Sequence, residues 1–536
     1  MSLRQLLRPR LALPAMFVVL ALGAWLRLAG IQWGLPYLYD VDEPVFVTKA
    51  FKVLASRDLN PHWFGHPGTI TIYTNAAAFA LDGVRAVVVG EVQQLSELGK
   101  AFWSEPSRFY LVARWVAATF GIATIAVTAL LARQFLGVVP ALGAGLLLAV
   151  APLHVEFSQI ARTDAQHTFL LTLFALLCCR AAAIGRLAHY AAAGAVLGLA
   201  VSCKYPSVVA SIGLITAFVV DQRRARPDKP AAWQPIAIAT AACIAAAFVG
   251  SPYMFLDFAQ VLKDVAGEAR TTHLGATSPG FAPSLRGYLE ALTLDSFGPA
   301  AVIALAGGAG VLATRRLALP VLALAGGYLL FISSLNLHWT RWVIPVLPLF
   351  CILLAALLEL PARLFAERAL PRQAGQAIAA VLLGLCVAQG LHASHTSVRE
   401  RQADDNRTLA SRWVAQHIPQ GSRIAIESGA PQPDNRHYEV YAADEHGLLV
   451  KDTSPYVYAW TSGNLGKLNQ PGDVRAAGIR YVMLGDTLGL MEREPAAYAA
   501  GIAKYRQTLG PAELVYESRP TPGINRGSHV RIYRLL

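Results

Sequence analysis

The sequence opens with the basic stretch MSLRQLLRPR at residues 1–10, followed by the apolar stretch LALPAMFVVLALGAWLRLAGI at residues 11–31. An apolar run of this length can span the hydrocarbon core of a bilayer as a helix. A basic start is also typical of a secretory signal, but no small-residue cleavage site follows this run. Because further apolar runs come later, we interpret residues 11–31 as a retained first membrane helix.

The composition extends this interpretation to the whole chain. Of the 536 residues, 55% are hydrophobic and only 15% are charged, whereas soluble proteins carry about 25% charged residues. The net charge of +12 does not indicate nucleic-acid binding, because arginine and lysine cluster in short loops between apolar runs, as expected of cytoplasmic loops. The six cysteines show no CxxC spacing, so we expect neither a disulfide framework nor a zinc site.

The apolar runs predict a polytopic α-helical protein with about eleven transmembrane helices. The predicted spans are 11–31, 109–132, 138–153, 165–180, 189–202, 205–220, 235–251, 298–313, 317–334, 342–359 and 374–392. With a cytoplasmic amino terminus, every strongly basic loop then falls on the cytoplasmic side, including the run DQRRARPDK at 221–229. This alternation of cytoplasmic and external loops, which we call the parity, holds only if residues 67–92 do not cross the membrane. We therefore predict an amphipathic surface helix there, within a long first external loop (32–108).

The character of the chain changes near Val398, which divides the sequence into a membrane domain (1–397) and a soluble domain (398–536). An amphipathic helix is predicted at 406–417 and another helix at 496–509. Buried strands are predicted at 423–428, 478–485, 513–517 and 529–534. We therefore predict a C-terminal α/β domain, which the parity places on the extracytoplasmic side.

Residues capable of chemistry concentrate at the predicted external ends of the spans. They are Asp40, Asp42, Glu43, His66, His154, Glu156, Arg162, Asp164, His167, Lys204, Asp257, His338 and Arg341. Ionisable groups beside hydrocarbon are costly and are therefore usually paired or functional. Carboxylates, imidazoles and cations on one membrane face favour a site over an orientation signal.

The stretch LYDVDEPVFVTKAF at 38–51 carries three carboxylates within four residues. Because they repel one another, a cation or a shared proton should hold them together. Asp42 or Glu43 could act as general base toward an acceptor hydroxyl, with Asp40 in substrate binding. The alternative is a helix start, with Asp42 as N-cap and Glu43 in the first turn before Pro44.

Two further stretches carry charges at span ends. In SQIARTDAQHTF (158–169), Asp164 could cap a helix, or it could ligate a metal or orient the acceptor, with Arg162 beside it. In SCKYPS (202–207), Lys204 lies between two apolar helices. It must meet an anion there or extend to the membrane interface, and a lipid-linked phosphate would supply the anion.

The stretch NLHWTRWVIPVLPLF at 336–350 places Arg341 at an external span start, where its fork suits bidentate phosphate binding. His338 and His66 are weaker substrate-binding candidates, and His338 could equally be a packed interfacial residue. Asp42, Glu43 and Asp164 could ligate a divalent cation such as Mg²⁺ or Mn²⁺. No ligand spacing identifies such a site, and we expect no obligatory metal.

These stretches, in this order, resemble the GT-C superfamily of membrane glycosyltransferases. They are most similar to the branch of protein O-mannosyltransferases and lipid A aminoarabinose transferases. Asp42 and Glu43 match the Asp-Glu pair of the first external loop, and Asp164 matches a second acidic motif. HPGTITIY at 66–73 resembles the "PPL" helix, with Gly68 in place of a proline. LGLAVSCKYPS at 197–207 is similar to the "LTK" segment, and RWVIPVLPLF at 341–350 to the R-x-x-x-P-x-x-P segment.

The resemblance implies inverting transfer of a sugar from a polyprenyl-monophosphate donor to an extracytoplasmic acceptor, which could be a glycan, a lipid or a protein. It implies Asp42 as base, and Lys204 and Arg341 as phosphate contacts. The expected location is a bacterial inner membrane. Two alternatives stay open: a transporter or flippase for a lipid-linked sugar, and a surface-glycan polymerase or ligase with a diphosphate-linked donor. The missing proline and the extra carboxylate Asp40 leave the substrate branch undecided.

Overall fold

The computed structural model describes residues 9–65, 68–224, 231–361, 372–459, 461 and 463–536. Contacts between Cα atoms divide the chain into two compact units. The helical unit runs up to Ala29 and includes Thr48–Ala78 and Ala113–His395. The mixed unit comprises Gly30–Val47, Phe79–Val112 and Thr396–Leu536.

The described helices of the first 402 residues are mostly apolar. In chain order they are α1 (Pro9–Leu28), α2 (Glu43–Ser56), α3 (Thr69–Val88), α4 (Leu95–Ser104), α5 (Ser107–Ala132), α6 (Val138–Ala149), α7 (Pro152–Phe157), α8 (Thr163–Ile184), α9 (Leu187–Cys203), α10 (Ser211–Gln222), α11 (Gln234–Gly250), α12 (Tyr253–Leu256), α13 (Phe258–Glu268), α14 (Phe281–Leu292), α15 (Leu294–Phe297), α16 (Ala300–Ala313), α17 (Leu319–Ser333), α18 (Leu347–Ala356) and α19 (Arg372–Gln402). Short 3₁₀ turns precede α10 (Tyr205–Ala210), α17 (Arg316–Ala318) and α18 (Thr340–Val346).

Each of the eleven predicted spans coincides with an apolar helix. Within the described ranges, six helical stretches are long and apolar enough to cross a membrane, or up to seven if the bent pair α14–α15 and α16 is one span. Four shorter apolar helices, in α1, α6, α9 and α11, lie at the remaining predicted spans. The predicted multi-pass helical fold is thus confirmed. Helix α3 forms as predicted and is not among those stretches, whereas its position on the membrane surface stays a prediction.

Small residues let helices of the helical unit pack closely. Helix α9 lies against both α8 and α11. A Cβ atom at Gly194 would lie 2.0 Å from the Ala239 carbonyl oxygen, and one at Gly198 would lie 2.1 Å from the Cys243 carbonyl oxygen. Only glycine permits this approach, as at many helix contacts in membranes. The contact fixes the end of α9, where Lys204 follows.

The C-terminal part of the mixed unit is built on a six-stranded sheet. Its strands are β1 (Arg423–Ile426), β2 (Glu439–Ala443), β3 (Leu449–Lys451), β4 (Tyr481–Leu484), β5 (Ala512–Ser518) and β6 (Val530–Leu535). The strand order is β3-β2-β1-β4-β6-β5. Strand β1 pairs in parallel with β2 and β4, and the other pairs are antiparallel.

Four helices accompany the sheet: α20 (Asn406–His417), α21 (Asp473–Ala476), α22 (Thr487–Arg493) and α23 (Pro495–Leu509). Ala410 and Val414 of α20 share an apolar core with Ile424 of β1 and Ile532 of β6. The predicted α/β architecture is therefore confirmed, with both predicted helices and all four predicted strands. Strands β2 and β3 were not predicted.

Candidate active site

Three cations surround one buried carboxylate in the helical unit. Asp164 lies in the first turn of α8, and its side chain is only 2% exposed. Lys204 Nζ donates to Asp164 Oδ1 at 2.5 Å, and Arg162 Nε lies 3.5 Å from Oδ2. Arg341 belongs to the turn Thr340–Val346, which packs against α8, and its charge acts on this carboxylate. Four residues from three separate sequence stretches therefore meet, and we call them the cation cluster (Arg162, Asp164, Lys204 and Arg341).

One of the alternatives drawn from the sequence is wrong. Asp164 does not precede α8 as its cap, since the residue before the helix is Arg162. Lys204 meets an anion, as one of its two alternatives required, and in this structure the anion is the buried Asp164 carboxylate.

A hydrogen-bond network next to Asp164 joins α8 to α3. Thr71 Oγ1 donates to Gln166 Oε1 at 2.7 Å, and Gln166 Nε2 donates to Thr74 Oγ1 at 3.2 Å. Asn75, one residue further, is 1% exposed, and neither of its side-chain polar atoms has a hydrogen-bond partner among the described residues. The HPGTITIY stretch, in its described part, thus contacts the helix that carries Asp164.

A second link fixes the turn after Lys204. His167 Nε2 and Ser207 Oγ lie 2.7 Å apart, and Ser207 Oγ donates to the Ala200 carbonyl oxygen at 2.9 Å. Tyr205 donates its hydroxyl to the Phe64 carbonyl oxygen at 3.2 Å. The backbone on both sides of Lys204 is therefore held by side-chain bonds, which gives its ammonium group a defined position.

The residues before α18, from His338 to Arg341, make close ring contacts. The Arg341 guanidinium lies 4.6 Å from the centre of the Trp339 ring. The His338 ring stacks on Tyr288 at 4.2 Å between centroids, and its backbone N–H donates to the Ala276 carbonyl oxygen. Burial lowers the pKa of His338, so the imidazole is neutral at neutral pH. These contacts favour the interpretation of His338 as a packed residue.

A buried arginine at the end of α1 was missed in the sequence. Arg27 is fully buried. Its guanidinium donates to the carbonyl oxygens of Leu148 and Ala149, both at 3.0 Å. It also lies 2.7 Å from His154 Nδ1, and burial together with this positive charge holds the pKa of His154 well below its usual range. An arginine inside a predicted span was itself the available signal.

The acidic stretch 38–51 lies at the start of α2 and, through residue 47, in the mixed unit. The chain before it is anchored there: Leu38 exchanges two hydrogen bonds with the Gln432 side chain, at 2.9 and 3.0 Å. The Arg407 guanidinium lies 3.9 Å from the Tyr39 ring centre and donates to the Tyr39 carbonyl oxygen. The position of the acidic residues that follow is therefore well defined.

The three carboxylates of this stretch occupy different environments. Asp40 Oδ1 accepts the backbone N–H groups of Asp42 and Glu43, both at 3.0 Å. Asp40 is thus a side-chain acceptor at the start of α2, where one alternative drawn from the sequence placed Asp42 as the cap. Glu43 is 1% exposed, whereas Asp42 is partly exposed. Among the three, Asp42 combines access to solvent with a backbone that Asp40 holds in place.

Two other expectations concern His66 and a metal. His66 lies outside the described residues. Within the described ranges, no group of three or more His, Cys, Asp or Glu side chains is arranged to hold a metal ion. Lys204 and Arg162 already contact Asp164, and their positive charges disfavour a cation there. Asp42 and Glu43 stay as candidate ligands.

Comparison with known proteins supports the assignment of the fold. Residues 110–249 match the sequence model of the family described as dolichyl-phosphate-mannose-protein mannosyltransferase. The matched range includes Arg162, Asp164 and Lys204, and it excludes the acidic stretch and Arg341. No curated protein sequence matches the chain.

Three solved structures illustrate the likeness. AglB, the oligosaccharyltransferase of Archaeoglobus fulgidus, solved with an inhibitory peptide and a dolichol-phosphate, is 12% identical with a TM-score of 0.51, over 91% of this chain and 70% of that one. An oligosaccharyltransferase of Archaeoglobus fulgidus in the apo form is 12% identical with a TM-score of 0.50, over 91% of this chain and 71% of that one. ArnT of Cupriavidus metallidurans, bound to undecaprenyl phosphate, is 14% identical with a TM-score of 0.48, over 98% of this chain and 97% of that one.

The helical fold shared with AglB and the family match over α5 to α11 agree with each other and with the motif order of the sequence. They confirm the resemblance stated above: residues 110–249 are similar to that family of mannosyltransferases, and the chain shares the multi-pass helical fold of AglB.

Proposed function

We propose that the chain transfers a sugar from a polyprenyl-monophosphate donor to an extracytoplasmic acceptor, with inversion at the anomeric carbon. The observation that carries this proposal is the cation cluster, in which Lys204, Arg162 and Arg341 all act on one buried carboxylate. The matched family is described by a dolichyl-phosphate-linked sugar, which supports a lipid monophosphate as donor.

The cation cluster suits a phosphate leaving group. When the bond between the anomeric carbon and the phosphate oxygen breaks, negative charge develops on the phosphate. Lys204 and Arg341 would stabilise that charge electrostatically, and their position is fixed before the reaction begins. The Arg341 fork would contact two phosphate oxygens in one plane, a geometry that the ammonium group of lysine lacks.

Asp164 would serve this site as a positioning residue. Its carboxylate bonds Lys204 at 2.5 Å and is buried against Arg162, so it keeps the ammonium group from adopting other rotamers. This role differs from metal ligation and from proton transfer, both of which need a carboxylate that is accessible to a ligand or a substrate.

The general base would be Asp42. Its carboxylate is partly exposed, so an acceptor hydroxyl can reach it from water. It would take the proton of that hydroxyl while the oxygen attacks the anomeric carbon opposite the phosphate, which inverts the configuration. Asp40 would position Asp42 through the two backbone N–H groups it accepts, and the buried Glu43 would support the helix start.

The energy of transfer is stored in the sugar phosphate bond, so the reaction needs no nucleotide. A divalent cation would find candidate ligands in Asp42 and Glu43, and the cations of the cluster can neutralise the phosphate without one. The parity of basic loops supports an inner-membrane protein with a cytoplasmic amino terminus and with the acidic stretch and C-terminal unit outside.

A donor panel tests the proposal. The purified full chain is incubated with radiolabelled sugars on polyprenyl monophosphate or polyprenyl diphosphate, together with cell-envelope acceptors. We expect transfer from a monophosphate donor that an Arg341→Lys variant reduces, because lysine lacks the bidentate fork. Transfer from the diphosphate donor alone, or movement of the intact donor across vesicles without transfer, would overturn the proposal.

A further inference from the structure

A cavity of about 440 Å³ lies at one edge of the sheet in the mixed unit. Its volume falls in the range of ligand pockets, about 300 to 1,000 Å³. The lining comprises three arginines, three carboxylates, His529, Gly489 and Pro520. It is formed by Asp486 after β4, by α22, by the end of β5 and the residues that follow it, and by the start of β6 with the residue before it. An almost wholly charged lining indicates a polar ligand.

The cavity lies at the carboxyl end of β4, on the side of β6 and β5, and next to a change of direction in the sheet topology. Strand β1 pairs in parallel with β2 on one side and with β4 on the other, so the chain leaves β1 and β4 in opposite directions. Ligands of open α/β sheets bind outside the carboxyl ends of strands at such a switch point. The two ends are adjacent, since Gly485 after β4 donates to Glu427 after β1 at 3.0 Å. Asp486, the next residue, lines the cavity.

Some charged side chains of the lining already have hydrogen-bond partners within the protein, and one does not. Glu517 is 2.7 Å from His529 Nε2 and 3.5 Å from Arg519, and Asp486 Oδ1 accepts the His529 backbone N–H at 2.9 Å. In contrast, Arg531 Nε is buried and has no hydrogen-bond partner in the described part of the chain. A buried donor of this kind is costly unless a ligand satisfies it.

We propose that this cavity binds an anionic saccharide, which makes it a second binding site that is separate from the proposed transfer reaction. The acid group of the sugar would bond the guanidinium groups of Arg531 and Arg493, because an arginine fork matches carboxylate and phosphate oxygens. The sugar hydroxyls would donate to the remaining carboxylate oxygens of Asp486 and Glu492. A simple anion would use the arginines alone and would be repelled by the carboxylates, whereas an acidic sugar uses both.

Calorimetric titration of the full chain in detergent tests the proposal, with D-glucuronate, D-glucose and inorganic phosphate as separate probes. We expect glucuronate to bind and the affinity to fall at least tenfold in Arg531→Met and in the exposed Arg493→Met. The matched control is Arg534→Met, because Arg534 lies on the same strand, bonds Glu513 and does not line the cavity. It should bind glucuronate like the wild type.

Several results would overturn the proposal. Absence of glucuronate binding, or equal loss in Arg534→Met and Arg531→Met, would remove the site. If glucose binds as tightly as glucuronate, the arginines do not recognise the acid group. If phosphate binds as tightly as glucuronate or more tightly, the cavity is a simple anion site. Because Arg493 is exposed, its substitution tests the cavity even if Arg531→Met fails to fold.

Discussion

Carboxylates occur in two regions of this protein, and they are held in opposite ways. Asp164, in the helical unit, is buried and paired with side-chain cations. Asp40, in the mixed unit, accepts the backbone N–H groups of Asp42 and Glu43, and both Asp40 and Asp42 are partly exposed. A carboxylate paired with fixed cations is poorly suited to accept a proton, whereas an exposed one beside water can. The difference separates a region that would bind a phosphate from one that would act as base.

The largest effect is expected for Asp42→Asn. Asparagine keeps the size of the side chain but cannot accept the proton, and loss of general base catalysis typically reduces turnover by about a hundredfold to ten-thousandfold. The measurement is the transfer rate at saturating donor, in protein that still elutes as a monodisperse particle.

Asp40→Asn is the control for this prediction. The Asn oxygen can still accept both N–H groups, because Asn is as good a cap as Asp, so turnover should change little. Near-normal turnover of Asp42→Asn would move the base to Glu43 or Asp40, and a large loss in Asp40→Asn would remove the contrast between the two residues.

The second-largest effect is expected for Asp164, the carboxylate that is paired with cations. Asp164→Asn removes the negative charge that Lys204 and Arg162 share while both cations stay in place. Breaking a buried ion pair in this way costs about 3 to 5 kcal/mol, so the melting temperature of the purified protein should fall clearly. The matched control is Asp404→Asn, because Asp404 bonds Arg412 at an exposed site and should change stability by less than about 1 kcal/mol. A similar loss in both variants would contradict the account.

A third carboxyl sharpens the contrast, because Glu427 is buried and held mainly by hydrogen bonds, and the charge of Arg531 has a smaller effect on it. It accepts the Tyr505 hydroxyl and the Gly485 N–H, and burial raises its pKa from 4.5 to about 7. The folded state therefore holds this proton more tightly than the unfolded state. Its contribution to stability is complete below pH 4.5 and is lost as the pH rises to about 7. The loss is on the order of 3 kcal/mol.

Glu427→Gln cannot lose a proton, so its melting temperature should lack this contribution to the pH dependence. The measurement is the difference in melting temperature between variant and wild type from pH 4.5 to pH 8. We expect the difference to shift in favour of the variant as the pH rises to about 7 and then to level off. A difference that is constant with pH would show that Glu427 titrates at its ordinary value.

Much of the fold could be predicted because its signals are local. An apolar run predicts a membrane helix whatever its neighbours are, and the spans from α1 to α19 follow this rule. Strands β1 and β4 are buried apolar runs, whereas β2 and β3 are short and carry Glu439 and Lys451, so no pattern marked them. Helices α13 and α14 were missed for a similar reason, since they lie in a loop rich in polar residues.

The site was predictable in its residue types and less so in its bonds. Their position at predicted span ends indicated Arg162, Asp164, Lys204 and Arg341 as site residues. The pairing of Asp164 with Lys204 could not be predicted, because these residues lie 40 positions apart in the sequence. One alternative drawn from the sequence placed Asp42 as the helix cap, whereas the side chain that accepts the N–H groups of Asp42 and Glu43 is Asp40. Such choices depend on the local course of the backbone, which the sequence pattern does not specify.

The central claim is that the cation cluster binds the donor phosphate. The direct test is the affinity of the full chain for undecaprenyl phosphate, measured for the wild type, Lys204→Ala, Arg341→Ala and the control Lys451→Ala, whose lysine pairs with Glu439 in the sheet. Each contact to phosphate should contribute about 1.5 to 3 kcal/mol, so we expect Lys204→Ala and Arg341→Ala to bind roughly tenfold to a hundredfold more weakly and Lys451→Ala to bind normally. Wild-type affinity in both cluster variants would contradict the account.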